Sequence, residues 1–396
     1  MAQLPEGTPA PSDGTLPAAA LASRAPFSLY VHVPFCRVRC GYCDFNTYTM
    51  AEVGDRAPGT YLEAVRAELD LAARELGRRR VETVFFGGGT PTMLPAQQLA
   101  DLLGAIGERF ELAPDAEVTT EANPETVTPE YLERLRLVGF TRISLGLQSV
   151  VPHVLRVLER EHSPQRGLDA ASWARQAGFE HVSLDLIYGT PGESLDDWRA
   201  SLDAVVQTPV DHVSAYSLIV EEGTRLGMQV RRGEVAMPDD DDLADKYEAA
   251  SEVLVSLGFA NYEVSNWARP GGQCRHNLAY WKGWDWWGIG PGAHSHIGGV
   301  RFWNRKHPGS YASALAQGVS PALAREVLSA EDRRVERVML ELRLAQGLEL
   351  SVLTATELAR VPGIVERGLG SLDDGRLVLS RAGRLLADGV IRDLLD

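Results

Sequence analysis

The stretch that decides the fold reads Tyr30–Val31–His32–Val33–Pro34–Phe35–Cys36–Arg37–Val38–Arg39–Cys40–Gly41–Tyr42–Cys43. Its first half is a short β-rich run closed by a proline, and its second half carries three thiols in the spacing Cys-x3-Cys-x2-Cys. Three thiolates in one tight loop suit three irons of a cubane cluster and leave the fourth iron open, whereas a closed electron-transfer cluster takes four protein ligands. Structural zinc is the other reading of such a loop, and it needs a fourth ligand, from Cys274 or a histidine. The chain has 4 cysteines in all, which is no disulfide framework.

Around this stretch, β-rich runs recur at Ser28–Val33, Glu82–Phe86, Glu117–Glu121, Arg142–Leu145, His181–Leu186, His212–Leu218 and Asn261–Val264. Between them apolar residues fall at three- and four-residue spacing, as in Tyr61, Leu62, Val65, Leu69, Leu76 and in Leu132, Leu135, Val138. Strands alternating with helices predict an α/β fold with a parallel sheet, either a whole or partial βα barrel or an open doubly wound sheet. The strand ends run into Gly87–Gly88–Gly89–Thr90–Pro91, Glu121–Ala122–Asn123–Pro124, Gly146–Leu147–Gln148–Ser149 and Tyr188–Gly189–Thr190–Pro191–Gly192. In parallel α/β proteins such loops meet at the carboxyl face, where sites are built.

The 396 residues are 44% hydrophobic and 23% charged, enough for a sizeable core. Net charge is 39 − 54 = −15, which argues against a nucleic-acid backbone as the main partner. No apolar run is long enough to span a membrane. Residues 1–26 are Ala- and Pro-rich without a secretory pattern and read as a mobile, disordered tail. Clustered thiols without an export signal predict a reducing, cytoplasmic setting. The core is expected over 27–265, a Trp/His-rich connecting segment over 266–309, and a small, mostly helical C-terminal domain over 310–396 with a hairpin around Arg381–Gly383. Six of the eight tryptophans, with His276, His294 and His296, lie between Trp267 and Trp303. A packed aromatic core would explain that crowding; so would a site for a flat macrocycle. The acidic run Asp239–Asp242 reads as N-terminal helix charge rather than a metal site.

The cysteine spacing, with aromatic Tyr42 before the third cysteine and a glycine run ending the second strand, resembles the signature of the radical S-adenosylmethionine (radical SAM) superfamily. That resemblance implies a partial (β/α)6 TIM-like barrel, a [4Fe-4S] cluster held by Cys36, Cys40 and Cys43, and S-adenosylmethionine on the open iron. The motifs Tyr30–His32–Pro34–Phe35–Cys36, Gly87–Thr92, Glu121–Pro124, Gly146–Ser149 and Asp185–Gly189 resemble the oxygen-independent coproporphyrinogen III oxidase group and its relatives, over residues 28–396. By that likeness Tyr30, Gly88 and Glu121 would contact the cluster-bound cofactor. Tyr42, Gly89, Thr90, Gln148, Arg160 and Asp185 match positions around a second cofactor molecule in the oxidase.

Two features separate the branches of this group. The oxidase resembles Cys-x3-Cys-x2-Cys-x-Cys, and here the fourth position is Phe45. His276–Asn277–Leu278–Ala279–Tyr280–Trp281 is similar to the His-Asn-x-x-Tyr-Trp motif of HemW-type haem chaperones. The resemblance therefore implies a protein that binds haem near His276, Asn277, Tyr280 and Trp281 and passes it to an acceptor protein, with an electron donor for the cluster. Imidazole is a good haem ligand, and Arg269, Arg275 and Arg301 are candidate partners for propionates. The alternatives are a coproporphyrinogen III oxidase and a zinc-stabilised binding protein.

Overall fold

A computed structural model describes residues 7–54, 56–160 and 163–396. Six strands follow one another in chain order: β1 (Phe27–Val33), β2 (Arg80–Gly88), β3 (Glu111–Ala122), β4 (Arg142–Gln148), β5 (His181–Tyr188) and β6 (His212–Ser217). Each is parallel to the next. The helices α1 (Ala57–Leu76), α2 (Ala96–Arg109), α3 (Pro129–Leu137), α4 (Pro164–Gln176) and α5 (Leu195–Val206) lie in the crossovers, and α6 (Asp240–Ser256) follows β6. This is the expected six-unit radical SAM fold. The described residues form an open sheet with added strands at both ends and no closed barrel.

Alternation along the strands sorts the side chains. On β1, Leu29, Val31 and Val33 are fully buried and share a core with Tyr61, Val65 and Leu69 of α1. Each such aliphatic burial contributes roughly 1.5–3 kcal/mol. Ser28, Tyr30 and His32 face the other way, towards Thr83 and Phe85 of β2. Thus one side of the sheet is apolar and covered by helices, and the other is polar and lines an interior.

The run at Asn261–Val264 was expected to be a seventh barrel strand. Instead β7 (Ala260–Glu263) and β8 (Asn266–Ala268) form an antiparallel hairpin on the edge of β6. The segment expected as a connector is part of the sheet: β9 (Asp285–Ile289) pairs parallel with β1 at the opposite edge. There β10 (His294–Ile297), β11 (Val300–Asn304) and β12 (Ala322–Val327) extend it antiparallel.

Residues 7–26, expected as a mobile tail, differ from that expectation. Thr8–Pro9 pairs with β12 and Ala20 is buried, because β12 would otherwise leave an open sheet edge. Residues 1–6 lie outside the described residues. Towards the C-terminus, Tyr311 of α8 (Pro308–Ala316) packs with Ala64 of α1, so this part joins the main body. A second core runs from Val338 to Leu394. It includes a hairpin whose turn is Asp374–Gly375, not Arg381–Gly383, because Gly375 takes the left-handed φ of +73° and Ser380 caps a helix beginning at Arg381. Among the described residues no helix is long and apolar enough to cross a membrane.

The acidic run opens α6. The Asp239 carboxylate accepts from the backbone N–H of Asp241 and Asp242, satisfying donors the helix leaves open. Asp239→Ala should therefore lower stability in a denaturant titration by about 1 kcal/mol while leaving the iron content of reconstituted protein unchanged. Loss of iron would return the run to metal binding.

Candidate functional site

The loops at the carboxyl ends of the six strands enclose a cavity of about 510 Å³. Cys36, Cys40 and Cys43 line it, facing the glycine loop after β2 and the polar ends of β3, β4 and β5. The glycine loop is zipped to the chain leading into the cysteines: Gly89 N–H donates to Val33 O (2.8 Å) and Thr90 N–H to Phe35 O (2.8 Å). A Cβ on Gly89 would come within 2.6 Å of Phe35 O and 3.1 Å of Cys36 Sγ, so only glycine fits there. Gly88 takes φ +107°, and its N–H donates to Glu121 Oε2 at 3.1 Å.

The wall opposite the cysteines is a patch of buried carboxylates and hydroxyls. Ser144 donates to both oxygens of Asp185 at 2.8 Å, and Ser183 adds a longer bond at 3.4 Å. Burial still raises the Asp185 carboxyl, against the hydrogen bonds from Ser214, Ser144 and Ser183. Burial, with Asp185 nearby, pushes Glu121 up to about 8. Arg160 donates to Gly146 O (3.0 Å) and reaches Cys40 Sγ (3.6 Å). Tyr42 packs against the small apolar cluster of Val154, Leu158, Ile187, Leu218 and Leu226.

Of the expected site residues, Tyr42, Gly88, Gly89, Thr90, Glu121, Gln148, Arg160 and Asp185 line this cavity with the three cysteines, and so does Asn277. Tyr30 does not. His32 Nε2 donates to Asn46 O at 2.9 Å, so its Nδ1 accepts from the Tyr30 hydroxyl at 3.1 Å, and the Tyr30 ring stacks on Phe85. The sequence reading missed Ser144, Ser183, Ser214, Thr119 and Tyr216. Their signal was the period-two polar pattern Glu117-x-Thr119-x-Glu121, Arg142-x-Ser144, Ser183-x-Asp185 and His212-x-Ser214-x-Tyr216 along the strands.

The cavity suits a polar cofactor beside a cluster. Among the described residues, Gln148 Oε1, Arg160 Nε and Thr119 Oγ1 are buried without hydrogen-bond partners, and all three residues line it. A native protein rarely leaves such atoms unpaired. A bulge between Gly146 and Gln148 turns Gln148 to φ +66°. Burial pushes the Cys43 thiol up to about 11 and raises Cys36 as well, so an iron cluster would displace protons from them. Among the described residues no three His, Cys, Asp or Glu side chains converge on a single-ion site. A cubane presents its irons at separate corners and does not need that convergence.

Below the cavity, Glu117 accepts from Arg142 Nε (3.0 Å) and from the backbone N–H of Arg275 (3.0 Å) and His276 (2.9 Å). Burial pushes this carboxyl up, but Arg142 and the two N–H groups outweigh it and hold it below the usual range. This fastens α7 (Arg275–Trp281). His276 is buried, with Nδ1 bonded to Thr83 Oγ1 (2.7 Å) and Nε2 to the Tyr280 hydroxyl (3.0 Å). As a candidate haem ligand His276 therefore has both ring nitrogens engaged within the protein. Trp281 hydrogen-bonds the Glu263 side chain. Arg275 pairs with Glu82 and Asp115, Arg301 with Glu326 and Glu336, and Arg269 lies over the Phe259 ring, so the three arginines serve separate local contacts. Trp267 and Trp287 are buried core, which accounts for part of the tryptophan crowding.

Cys36→Ser, Cys40→Ser and Cys43→Ser should each abolish cluster assembly in anaerobic reconstitution, read as iron and sulfide per chain. Cys274, whose thiol faces Glu117 Oε1 at 3.5 Å, should tolerate serine with full iron. Iron loss in Cys274→Ser equal to that in Cys40→Ser would rule out the three-cysteine site. The raised Glu121 sets a pH dependence in the cofactor-free protein. Its contribution to stability is fully present below the ordinary carboxyl value of 4.5 and is lost as pH rises through about 8. Denaturant midpoints should fall between pH 6 and pH 9 less steeply in Glu121→Gln than in the parent; equal slopes would remove Glu121 as the cause.

The sequence pattern of the radical SAM superfamily matches residues 30–205. The chain is 55% identical over 380 residues to the heme chaperone HemW of Mycobacterium tuberculosis, covering 96% of this chain and 97% of that one. It is 31% identical to HemW of Bacillus subtilis over 92% of this chain and 97% of that one. The solved coproporphyrinogen III oxidase HemN of Escherichia coli, a radical SAM enzyme, superposes with a TM-score of 0.83 at 25% identity, covering 97% of this chain and 94% of that one. On sequence, fold and the cavity built at its strand ends, the chain belongs to the HemW family of radical SAM proteins.

Proposed function

We propose that this protein is a haem chaperone: it binds haem and hands it to an acceptor protein, and it carries a [4Fe-4S] cluster and S-adenosylmethionine. The observation that carries the reading is the 55% identity, over 96% of the chain, to a protein named for that role. Cys36, Cys40 and Cys43 would hold the cluster. Gly88, Gly89, Thr90, Glu121, Gln148, Arg160 and Asp185 would hold the sulfonium cofactor. When bound, the pair supplies reductive cleavage of the sulfonium bond. The chain's own part is placement. Glu121 and Asp185 offer carboxyl groups to an ammonium group, Gln148 and Arg160 offer polar side chains at the cavity wall, and the glycine loop admits a ligand against the backbone.

The likeness to HemN favours a second reading, oxidative decarboxylation of coproporphyrinogen III. Phe45 speaks against it. It stands where the oxidase pattern has its fourth cysteine, and it is 63% exposed at the cavity wall. Incubated with coproporphyrinogen III, S-adenosylmethionine and reductant, the reconstituted protein should form no protoporphyrinogen IX. Ferric haem titrated into the Cys40→Ser variant should still give a saturable Soret band, because haem would not need the cluster for binding. Steady turnover, or no haem binding by the intact protein, would overturn the chaperone reading.

A further inference from the structure

The haem reading needs an iron ligand, and hydrogen bonds at the imidazoles decide which histidine can serve. A ligating imidazole must be neutral, keep one lone pair and reach a surface open to the macrocycle; most donate their other N–H to a carbonyl or carboxylate, which fixes the ring. His32, His212 and His276 fail at once, since both ring nitrogens of each are hydrogen-bonded inside the protein.

His296 meets every condition. It lies on β10, half-buried, with Nδ1 at 3.1 Å from Trp284 O. A carbonyl only accepts, so Nδ1 carries the proton and Nε2 keeps the lone pair. Nε2 has no hydrogen-bond partner among the described residues and is not among the fully buried unpaired atoms, so it keeps some exposed surface. Its surroundings are flat and aromatic: the Trp286 ring lies 5.0 Å away at 38°, and the Tyr280 ring meets Trp286 edge-on at 4.9 Å. Trp286 is the register partner of His296 on one side and of Ser28 on the other, so this ledge continues the polar, inward face of the six-strand run. Arg301 is the cross-strand partner of His296 on β11.

We propose that His296, through Nε2, is the axial ligand of haem bound against Trp286 and Tyr280. The proposal rests on the haem-chaperone reading and assigns the atom that binds the iron. Tyr280 of the His-Asn-x-x-Tyr-Trp segment then forms part of the wall, while His276 pins Tyr280 from behind through its Nε2. Burial lowers the His296 imidazole against the raising influence of Trp284 O, Asp285 and Glu336, and Arg301 adds to the lowering, which favours the neutral ring. His294, two residues earlier, stacks on Trp303 at 6.0 Å with no side-chain hydrogen bond among the described residues to fix its tautomer, and serves as the comparison.

The test is a ferric haem titration of the full-length protein and of His296→Ala, His296→Gln and His294→Ala, each checked for an unchanged thermal melt. The parent should saturate near about one equivalent with the Soret band of a histidine-ligated iron. Both His296 variants should lose that band and bind at least about tenfold more weakly. Added imidazole should restore the spectrum of His296→Ala by filling the vacated position. His294→Ala should match the parent. Parent-like spectra and affinity in both His296 variants, or loss of the band in His294→Ala alone, would overturn the assignment while leaving the haem-chaperone reading intact. Failure of the parent itself to bind haem saturably would overturn both.

Discussion

One buried carboxylate fastens the segment that links the two edges of the six-strand run. Glu117 sits near the floor of the six-strand run, paired with Arg142 on the neighbouring strand, and both side chains are almost fully buried. Removing one partner of such a pair typically costs about 3–5 kcal/mol, because the other charge is left without compensation. Here the pair does more than balance charge. Arg142 also donates to Gly272 O and Gln273 O, and Glu117 accepts the first N–H groups of the α7 helix. Leaving the β7–β8 hairpin at the last edge of the sheet, the chain is thereby drawn across the interior to the first edge, where β9 pairs with β1.

The site above that floor follows from the same geometry. Strands that place Leu, Val and Ile towards the helices must place their alternate residues inward, and inward here includes serines, threonines, the acids Glu117, Glu121 and Asp185, and Arg142. Such groups are expensive to bury unless something polar fills the space they enclose. Partly they satisfy one another, as Ser144 and Asp185 do. Gln148, Arg160 and Thr119 line the cavity and each keeps a buried atom unpaired among the described residues, and the cysteine loop also lines it. The aromatic ledge around Trp286 and His296 is the outward continuation of the same inward face. Cluster, cofactor and haem would thus share one surface of one sheet.

Much of this was legible in the sequence because its signals are local. The Cys-x3-Cys-x2-Cys loop, the glycine run after β2, the strand–helix alternation and the Asp239 cap each depend on neighbours within a few residues. The six strands appeared where expected, with β3 longer by six residues at its start than Glu117–Glu121. What escaped was decided by contacts distant in sequence. Ala260–Glu263 looks like any other barrel strand, and only its pairing partner makes it antiparallel. Residues 7–26 carry no periodicity of their own and are ordered by the edge they cover. His276 had the composition of a ligand, but Thr83 and Tyr280 consume its nitrogens. His296 stood out in the sequence only as one of three histidines in a tryptophan-rich segment, because its distinguishing feature is a hydrogen bond to Trp284 O, 12 residues away on the preceding side of the turn.

The Glu117 clamp is tested most directly by hydrogen–deuterium exchange on the parent and on Glu117→Ala, in protein free of added ligands. With the clamp removed, the account predicts faster exchange across residues 272–289, which the carboxylate fastens. The six parallel strands, held by their own ladders and the helix-covered core, should keep their protection. Unchanged protection of residues 272–289 in a folded Glu117→Ala protein would contradict it.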